Sequence, residues 1–256
     1  TLRYLLGALD GFADAEKVAH ADMPALERWM LHRLAEIDAR IRKMTDSYDF
    51  HGIFTELHTL CNSDLSAFYF EIRKDRLYCD AADSIERRAC RTVMFEVFSR
   101  LTAWLAPILC FTAEEAWQSW VNDMEHSVHL RSYDAVPAEW HDEALAARWD
   151  GIRRARQVVT AALETARNDG AIGASLQAAP TIHVSTDIAA MFDGEDAAAL
   201  FITSDATITT DAPPAIAFRV EGVEDVAVAF AAAEGGKCAR CWKITPEVTT
   251  EEGICN

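Results

Sequence analysis

The sequence predicts a mainly α fold, with an antiparallel helical bundle over residues 1–170, a small α+β domain over 171–232 and a truncated cysteine finger over 233–256. Three observations lead to this prediction. Apolar residues recur at spacings of three and four through the first part, as they do on the buried face of a helix. After Pro180 the pattern changes to short runs rich in β-branched residues. Two cysteines spaced C-x-x-C then stand near the end of the chain.

The composition limits the class of protein. Half of the 256 residues are hydrophobic, which is ample for a core. The formal net charge of −17 argues against a generally basic surface for nucleic acid, because such binding needs Lys and Arg to neutralise phosphates. The charge is uneven, since residues 171–232 carry one basic residue, Arg219, against nine acidic ones. Residues 1–170 keep local basic clusters.

The first helices follow from apolar spacing and helix-end signals. Residues 2–9 are predicted to form a helix that stops at Asp10-Gly11. Asp22 is the predicted N-cap of a second helix, which runs to Tyr48, and Asp49 is predicted to open a third. The second helix carries a charged face opposite its apolar stripe, which a solvated surface explains better than phosphate contact. The charges are Arg28, Arg33, Arg40, Arg42 and Lys43.

Residues 64–117 form the centre of the predicted bundle. The aromatic run 68–70 leads directly into the charged run 71–76, a pattern typical of a core element whose tip meets an anion. Ser84 is the predicted N-cap of the next helix. Its apolar side chains are predicted to be buried; they are Val93, Met94, Val97, Phe98, Leu101, Trp104 and Leu105. Residues 112–115 match a capping box and predict a sixth helix.

The remaining elements are a loop, a long helix and a set of short strands. The loop covers residues 124–139, and the long helix after it is closed by Gly170 and Gly173. An alanine-rich acidic helix is predicted near 193–203. The predicted strands are 181–184, 206–209, 215–218 and 226–230.

The most specific local signal is the pair Cys238 and Cys241, followed by Cys255. Two thiolates at this spacing on a tight turn suit one tetrahedral zinc ion, and a second pair would complete a structural site. A redox pair is disfavoured because no helical pattern follows the cysteines. The other cysteines mostly fall in helices among apolar residues, which indicates buried thiols; they are Cys61, Cys79, Cys90 and Cys110. We therefore expect a zinc finger that lacks one ligand and binds zinc weakly or not at all.

No catalytic residue is predicted in this chain. It has no G-x-x-x-x-G-K-S/T loop, its histidines do not fall at a zinc-protease spacing, and its serines lack a nucleophile elbow. The longest nearly apolar stretch, 101–113, contains Pro107 and is shorter than the roughly 20 residues that cross a bilayer. Nothing at the start resembles a secretory signal, so we expect a cytoplasmic protein without a membrane anchor.

Several segments together resemble one known family. They are residues 64–78, 106–109 and 111–117, the opening 2–6, residues 172–178 and the finger 238–255. In these the chain is similar to the anticodon-binding helical region of class I isoleucyl-tRNA synthetases. The tip 74–78 and the finger favour the isoleucine enzyme over its valine and leucine relatives. The chain departs from the family at residues 168–170, where a lysine-containing turn is usual, and the fourth cysteine of the finger would lie just past Asn256.

The resemblance implies a function for a larger protein. The parent would be a monomeric isoleucine–tRNA ligase that uses ATP to activate isoleucine and charges tRNA(Ile). ATP and Mg²⁺ would bind a catalytic domain upstream of Thr1, and the present chain would be a fragment that holds the tRNA. The implied tRNA-binding residues suit loop bases that stack on aromatic and arginine planes. They are Arg73, Lys74, Arg76, Arg240, Trp242 and Lys243.

Two alternatives stay open. One is the anticodon-binding region of a valyl or leucyl relative, and the other is a non-catalytic helical scaffold that docks proteins. A contiguous basic strip at the tip would favour RNA, whereas dispersed basic residues with an exposed apolar patch would favour docking. We expect replacement of Arg73 and Lys74 by Ala to lower tRNA affinity and to leave the melting temperature nearly unchanged.

Overall fold

A computed structural model describes residues 1–123, 125–250 and 253–255. The loop predicted at 124–139 and the finger predicted at 233–256 each include residues outside this range, namely Met124, Glu251, Glu252 and Asn256. The chain forms two compact units, Thr1–Ala146 and Ala147–Asn256. The predicted division at residues 170 and 232 differs from these bounds and stays a prediction. Helices dominate and a small sheet lies in the second unit, which confirms a mainly α fold with a small α+β part.

The first unit is a helical bundle built around one central helix. Its α-helices are α1 (Leu2–Ala8), α2 (Ala25–Asp46), α3 (Phe50–Thr59), α4 (Glu71–Cys79), α5 (Ile85–Leu105) and α6 (Cys110–Val121). Helix α5 contacts α1, α2, α4 and α6, so it forms the middle of the bundle. None of the helices in the described part of the chain combines the length and apolar character needed to cross a membrane.

The core of this unit follows the predicted apolar stripes. On α5 every predicted apolar side chain is buried except Leu105, which is partly buried. On α2 the stripe from Leu26 to Ile41 is buried, and the aromatic run 68–70 is buried as well. Each large apolar side chain removed from water contributes about 1.5–3 kcal/mol before the loss of conformational entropy. The period of three and four therefore located the core correctly.

Local signals for the start of a helix were right in two places and wrong in two. The Asp49 side chain accepts from the backbone N–H of Gly52 at 2.9 Å, and the Ser84 hydroxyl accepts from that of Arg87 at 3.2 Å, so both are N-caps. Asp22 is not an N-cap, because it lies in a 3-10 turn at His20–Asp22. The residue before Pro24 is extended, so α2 begins only after the proline.

The predicted capping box at residues 112–115 is also wrong. Helix α6 begins at Cys110, so this sequence falls inside the helix rather than before it. The Glu114 carboxylate instead accepts hydrogen bonds from the Val128 backbone N–H at 2.8 Å and from the Ser127 hydroxyl at 3.0 Å. The motif thus serves a contact with the loop that follows α6.

A π-helical segment, Leu60–Phe70, joins α3 to α4. Its wider i to i+5 turns are rare, and the apolar spacing of the sequence does not distinguish them from an α-helix. The segment buries Asp64, whose carboxylate accepts from Arg33 of α2 at 3.2 Å. It therefore carries a charged group, as well as the aromatic run, into the bundle.

The second unit contains most of helix α7 (Glu143–Asn168) and a four-stranded sheet. Gly170 has a φ of +75° and its N–H donates to the carbonyl of Arg167, so it closes α7 as predicted. The strands are β1 (Thr181–Val184), β2 (Thr207–Thr209), β3 (Phe218–Val220) and β4 (Val223–Ala229), in the order β2-β1-β4-β3. Strands β1 and β2 are parallel, and β4 is antiparallel to β1 and β3. Two short helices, α8 (Thr186–Met191) and α9 (Ala197–Phe201), lie between β1 and β2 in the chain.

Three of the predicted strands are confirmed and one is misplaced. The strand predicted at 215–218 overlaps β3 only at Phe218, and Ile216 is 95% exposed. The Ala217 N–H donates to the Pro214 carbonyl at 3.0 Å, so a turn occupies the predicted position. Two consecutive prolines favour this turn because neither can donate to a strand ladder. Of the helix predicted at 193–203, the structure contains α9.

Candidate metal centre and nucleic-acid interface

The cysteine finger is built on a two-stranded ribbon. Strands β5 (Gly236–Lys237) and β6 (Ile244–Thr245) pair antiparallel, with Gly236 opposite Thr245. Cys238 follows β5 directly, and its carbonyl accepts from the N–H of Trp242 at 3.0 Å to form a tight turn. A Cβ at Gly236 would overlap the Val248 carbonyl oxygen, so only glycine fits there. The ribbon and its turn therefore place Cys238 and Cys241 on the same side.

Three sulfur atoms converge in this finger. The Sγ atoms of Cys238, Cys241 and Cys255 all lie within 4.8 Å of one another, and those of Cys241 and Cys255 are 3.4 Å apart. Three backbone N–H groups donate to the Cys238 sulfur at 3.4–3.5 Å, from Arg240, Cys241 and Cys255. Such donors stabilise a thiolate, which is the form that ligates a metal. The donor set thus fits a soft or borderline divalent ion.

The pKa values of Cys238 and Cys255 are shifted in opposite directions. Burial raises the pKa of Cys238, but the N–H donors outweigh it and lower the pKa to about 6. The hydrogen bond with Cys241, with burial second, raises the pKa of Cys255 to about 12. The backbone N–H donors therefore favour the thiolate at Cys238 in particular.

The other predicted site residues of the finger stand around its turn. Trp242 is 61% exposed in the left-handed region, with a φ of +68°. The Lys237 ammonium lies 5.3 Å from the centre of the Trp242 ring. Arg240 is exposed and Lys243 is half-buried. An exposed ring flanked by cations is a surface on which a nucleobase can stack.

The earlier cysteines do not join this cluster. Among residues 1–123, 125–250 and 253–255, the trio in the finger is the one group of three or more metal-binding side chains close enough to share an ion. The prediction that the other cysteines are buried thiols holds for Cys90, which is inaccessible. Cys61 and Cys79 are half-buried, and Cys110 is exposed because it starts α6 at the bundle surface.

The structure places Arg73 in the interior, not on the surface of the predicted basic tip. Its guanidinium donates from Nε and Nη2 to the two carboxylate oxygens of Glu27, each at 2.6 Å. Glu27 is completely buried and also accepts from the Tyr69 hydroxyl at 3.2 Å. Burial would lower the pKa of Arg73, but the Glu27 carboxylate outweighs this and raises it. This contact leads us to expect that replacing Arg73 lowers stability, unlike the small effect predicted from the sequence.

Lys74 and Arg76 remain at the surface of the tip. The Lys74 ammonium is 2.7 Å from Glu71, and its side chain is 49% exposed. The Arg76 guanidinium is 3.4 Å from Asp80 and its side chain is 35% exposed. Beside them Tyr78 is 72% exposed, so an aromatic ring accompanies the two cations.

The charged face of α2 is largely neutralised within the fold. Arg40 is 2.7 Å from Glu56, and Arg42 is 2.6 Å from Asp38. Arg33 is shared between Asp64 and a neighbouring carboxylate, that of Glu36. Three of the five predicted charges on this face, Arg33, Arg40 and Arg42, are thus paired with carboxylates.

A family model matches the part of the chain that contains the tip. The family model that matches is described as the anticodon-binding domain of tRNA ligase, and it covers residues 27–183, which include the tip. The chain belongs to this family. The match begins at Glu27, the residue that holds Arg73, so the ion pair lies inside the anticodon-binding domain.

Isoleucine–tRNA ligases of several organisms match this chain over 98–100% of its length. The isoleucine–tRNA ligase of Agrobacterium fabrum is 47% identical over 252 residues, which are 98% of this chain and 26% of that protein. That of Gluconobacter oxydans is 48% identical over 258 residues, with 100% of this chain and 26% of the relative covered. That of Ruegeria pomeroyi is 46% identical over 259 residues, which cover 100% of this chain and 27% of that relative. The chain thus spans about a quarter of the length of the curated relatives it matches.

Sequence reasoning missed two features of these sites. By its position Glu27 resembles any acidic residue in the first turn of a helix, where it favours the helix dipole. Its full burial, the only sign of another role, depends on the packing of Tyr69 and Arg73 against it. The N–H donors to Cys238 were also missed, because backbone directions in a turn are not visible in residue types.

Proposed function

We propose that this chain is the tRNA-binding part of an isoleucine–tRNA ligase. The observation that carries the proposal is the match of the whole chain to isoleucine–tRNA ligases, joined to the family match over residues 27–183. The larger protein would use ATP and Mg²⁺ to activate isoleucine and charge tRNA(Ile), as a cytoplasmic monomer. This part would bind the anticodon stem and loop.

The contacts would come from the exposed side chains of the tip and the finger. Lys74 and Arg76 would neutralise phosphates, and Trp242 would stack on a base, with Arg240 and Lys243 beside it. Arg73 would act by a different route, since its guanidinium is engaged with Glu27. We propose that this pair holds the tip in place, so that Arg73 is a positioning residue.

We propose zinc as the metal of the finger. Three converging cysteine sulfurs suit zinc better than magnesium or calcium, which prefer oxygen ligands. Cys238, Cys241 and Cys255 would hold the ion, which when bound would neutralise the thiolates and tie residue 255 to the β5–β6 turn. This role is structural, and the finger would present Trp242 in a fixed orientation.

The test is a binding titration with the full chain and a fluorescent tRNA(Ile) transcript. Lys74→Ala with Arg76→Ala should weaken binding and lower the slope of log K against log salt by about one for each phosphate that is no longer neutralised. Arg167→Ala is the matched control, since Arg167 is exposed and ion-paired with Glu164 on the last turns of α7. Absence of salt-dependent binding by the unmodified chain would refute the proposal.

A specific observation favours the docking scaffold as a second candidate. Phe111 is 92% exposed and Leu109 is 43% exposed at the start of α6, which together present an apolar surface. A docking scaffold would bind tRNA(Ile) and an unrelated RNA equally weakly. A valyl or leucyl relative would instead prefer the tRNA(Val) or tRNA(Leu) transcript over that of tRNA(Ile).

A further inference from the structure

A second basic feature of the bundle lies apart from the predicted tRNA-binding residues. It is a groove of about 440 Å³ at the first turns of α5, which we call the arginine groove. Three arginines line it: Arg87, Arg88 and Arg91. The rest of its lining comes from residues 15–16 and 82–83.

Arg87 and Arg88 are held by backbone carbonyls. Arg87 donates from Nε to the Leu77 carbonyl at 3.2 Å and from Nη1 to the Ala82 carbonyl at 3.4 Å. Arg88 donates from Nε to the Glu16 carbonyl at 3.2 Å and from Nη2 to that of Ala15 at 3.3 Å. A carbonyl orients a guanidinium but carries no net charge. These hydrogen bonds therefore pair neither arginine with a negative charge.

Arg91 forms the inner wall of the groove and is only 5% exposed. It donates from Nη1 to the Glu16 carboxylate at 2.7 Å and from Nη2 to the Asp10 carbonyl at 2.7 Å. Its buried Nε has no acceptor among the described residues. Each of the three guanidinium groups thus has one nitrogen for which no acceptor occurs in the described part of the chain.

Arg87 and Arg88 differ in their partners from several other arginines of the bundle. Arg33, Arg40, Arg42 and Arg73 each contact a carboxylate, whereas Arg87 and Arg88 have none within 4.0 Å in the range that the structure describes. The groove itself contains two carboxyl groups, Glu16 against Arg91 and the exposed Asp83. Three positive charges against two negative ones leave the lining of the groove positive in a chain whose net charge is −17. Its guanidinium groups also have N–H donors to spare. An oxyanion with several acceptor oxygens matches that excess.

We propose that the arginine groove binds a phosphate group of the RNA backbone, as an extension of the tip. The Arg87 guanidinium donates to the carbonyl of Leu77, one residue from Arg76, so the groove begins where the tip ends. An RNA strand that contacts Lys74 and Arg76 would place its next phosphates at Arg87 and Arg88. The inference rests on the proposed tRNA-binding function and names a contact that the tip residues do not supply.

The test uses the full chain with Arg87→Gln and Arg88→Gln combined. We expect at least about a tenfold loss of affinity for the tRNA(Ile) transcript, since hydrogen bonds to charged groups are the strong ones. The slope of log K against log salt should fall by about one to two, equally for an unrelated tRNA, because backbone contacts do not read sequence. Arg87→Lys with Arg88→Lys should keep most of the affinity, and Arg167→Gln is the matched surface control.

The outcomes separate this inference from the proposed function. If the unmodified chain binds tRNA and the double Gln variant binds with the same slope, the arginine groove is not an RNA site, while the proposed function stands. If the unmodified chain binds no RNA, both are wrong. A calorimetric titration with pyrophosphate identifies the remaining case. Loss of pyrophosphate binding without loss of RNA binding would show that the groove takes a free anion and would overturn the assignment to RNA.

A loss of fold is distinguished by the charge-conserving variant. Arg87→Gln with Arg88→Gln removes donors to four carbonyls, so its melting temperature must be compared with that of the unmodified chain. If it is unfolded at the assay temperature, the Lys pair decides the question. If the variant Arg87→Lys with Arg88→Lys is folded but has lost at least about tenfold in RNA affinity, the charge argument is overturned.

Discussion

Replacing Arg73 by Ala should destabilise the first unit strongly. The substitution removes both hydrogen bonds to Glu27 and leaves a carboxylate of zero exposure without its cation. Breaking a buried ion pair by removing one partner costs about 3–5 kcal/mol, because the remaining charge stays desolvated. For a unit of this size each kcal/mol shifts the melting temperature by about 2–4 °C. We therefore expect a fall of roughly 6–20 °C.

The matched control is the neighbouring residue. Lys74→Ala removes a partly exposed contact with Glu71, and such surface pairs contribute at most about 1 kcal/mol. Both variants are followed by circular dichroism during heating and by urea titration. The double variant Glu27→Gln with Arg73→Ala should recover part of the loss, because it removes the buried charge and still leaves an acceptor for the Tyr69 hydroxyl.

An Arg73→Ala protein that melts within about 2 °C of the unmodified chain would refute the reasoning, since the expected fall is at least about 6 °C. The same holds if the double variant is less stable than the single one. Either result would mean that the fold does not depend on the pairing of Glu27 with Arg73, and Arg73 would then be free to contact RNA.

Three further predictions concern the finger and α6. Cys241→Ser should reduce the absorbance of the Co²⁺–thiolate band and weaken the binding of the ion, because one of three converging thiolates is removed; an unchanged band would show that Cys241 is not a ligand. Gly236→Ala should abolish metal binding without lowering the melting temperature of the bundle, whereas Gly7→Ala, with open space around it in helix α1, should leave metal binding unchanged and should not lower the melting temperature. For Glu114, burial raises the pKa but the N–H of Val128 and further donors outweigh it and lower the pKa. Its stabilisation is therefore present above its ordinary value of 4.5 and is lost as pH falls through the lowered pKa, so Glu114→Gln should lower the melting temperature at pH 7 and have less effect in acid.

Local patterns predicted the features that depend on a residue's own helix or turn. The apolar period located the core face of α5, and Asp49 and Ser84 marked helix starts because their side chains reach backbone N–H groups three residues on. Gly170 marked the end of α7 for a similar reason, since glycine accepts a positive φ. The spacing of Cys238 and Cys241 predicted their convergence on one turn.

Charged residues show what a local pattern does not contain. Arg73 and Lys74 are neighbours in one basic run, yet one is buried against Glu27 and the other faces solvent. Glu114 lies inside a run that matched a capping box, but its Oε2 atom accepts hydrogen bonds from loop residues 13 and 14 positions further on. Arg87 and Arg88 look like other arginines of the bundle until their partners are known to be carbonyls.

Residue types were therefore enough to predict the helical bundle, the cysteine finger and the family to which the chain belongs, because periodicity, turn residues and short motifs act within a few positions. Which cations are available to an anionic partner depends instead on how the chain folds. A salt bridge depends on side chains brought together from distant positions, such as the 46 residues that separate Glu27 from Arg73. Because Glu27 is buried, that contact is costly to break, and Arg73 is held in the interior while Lys74 lies at the surface.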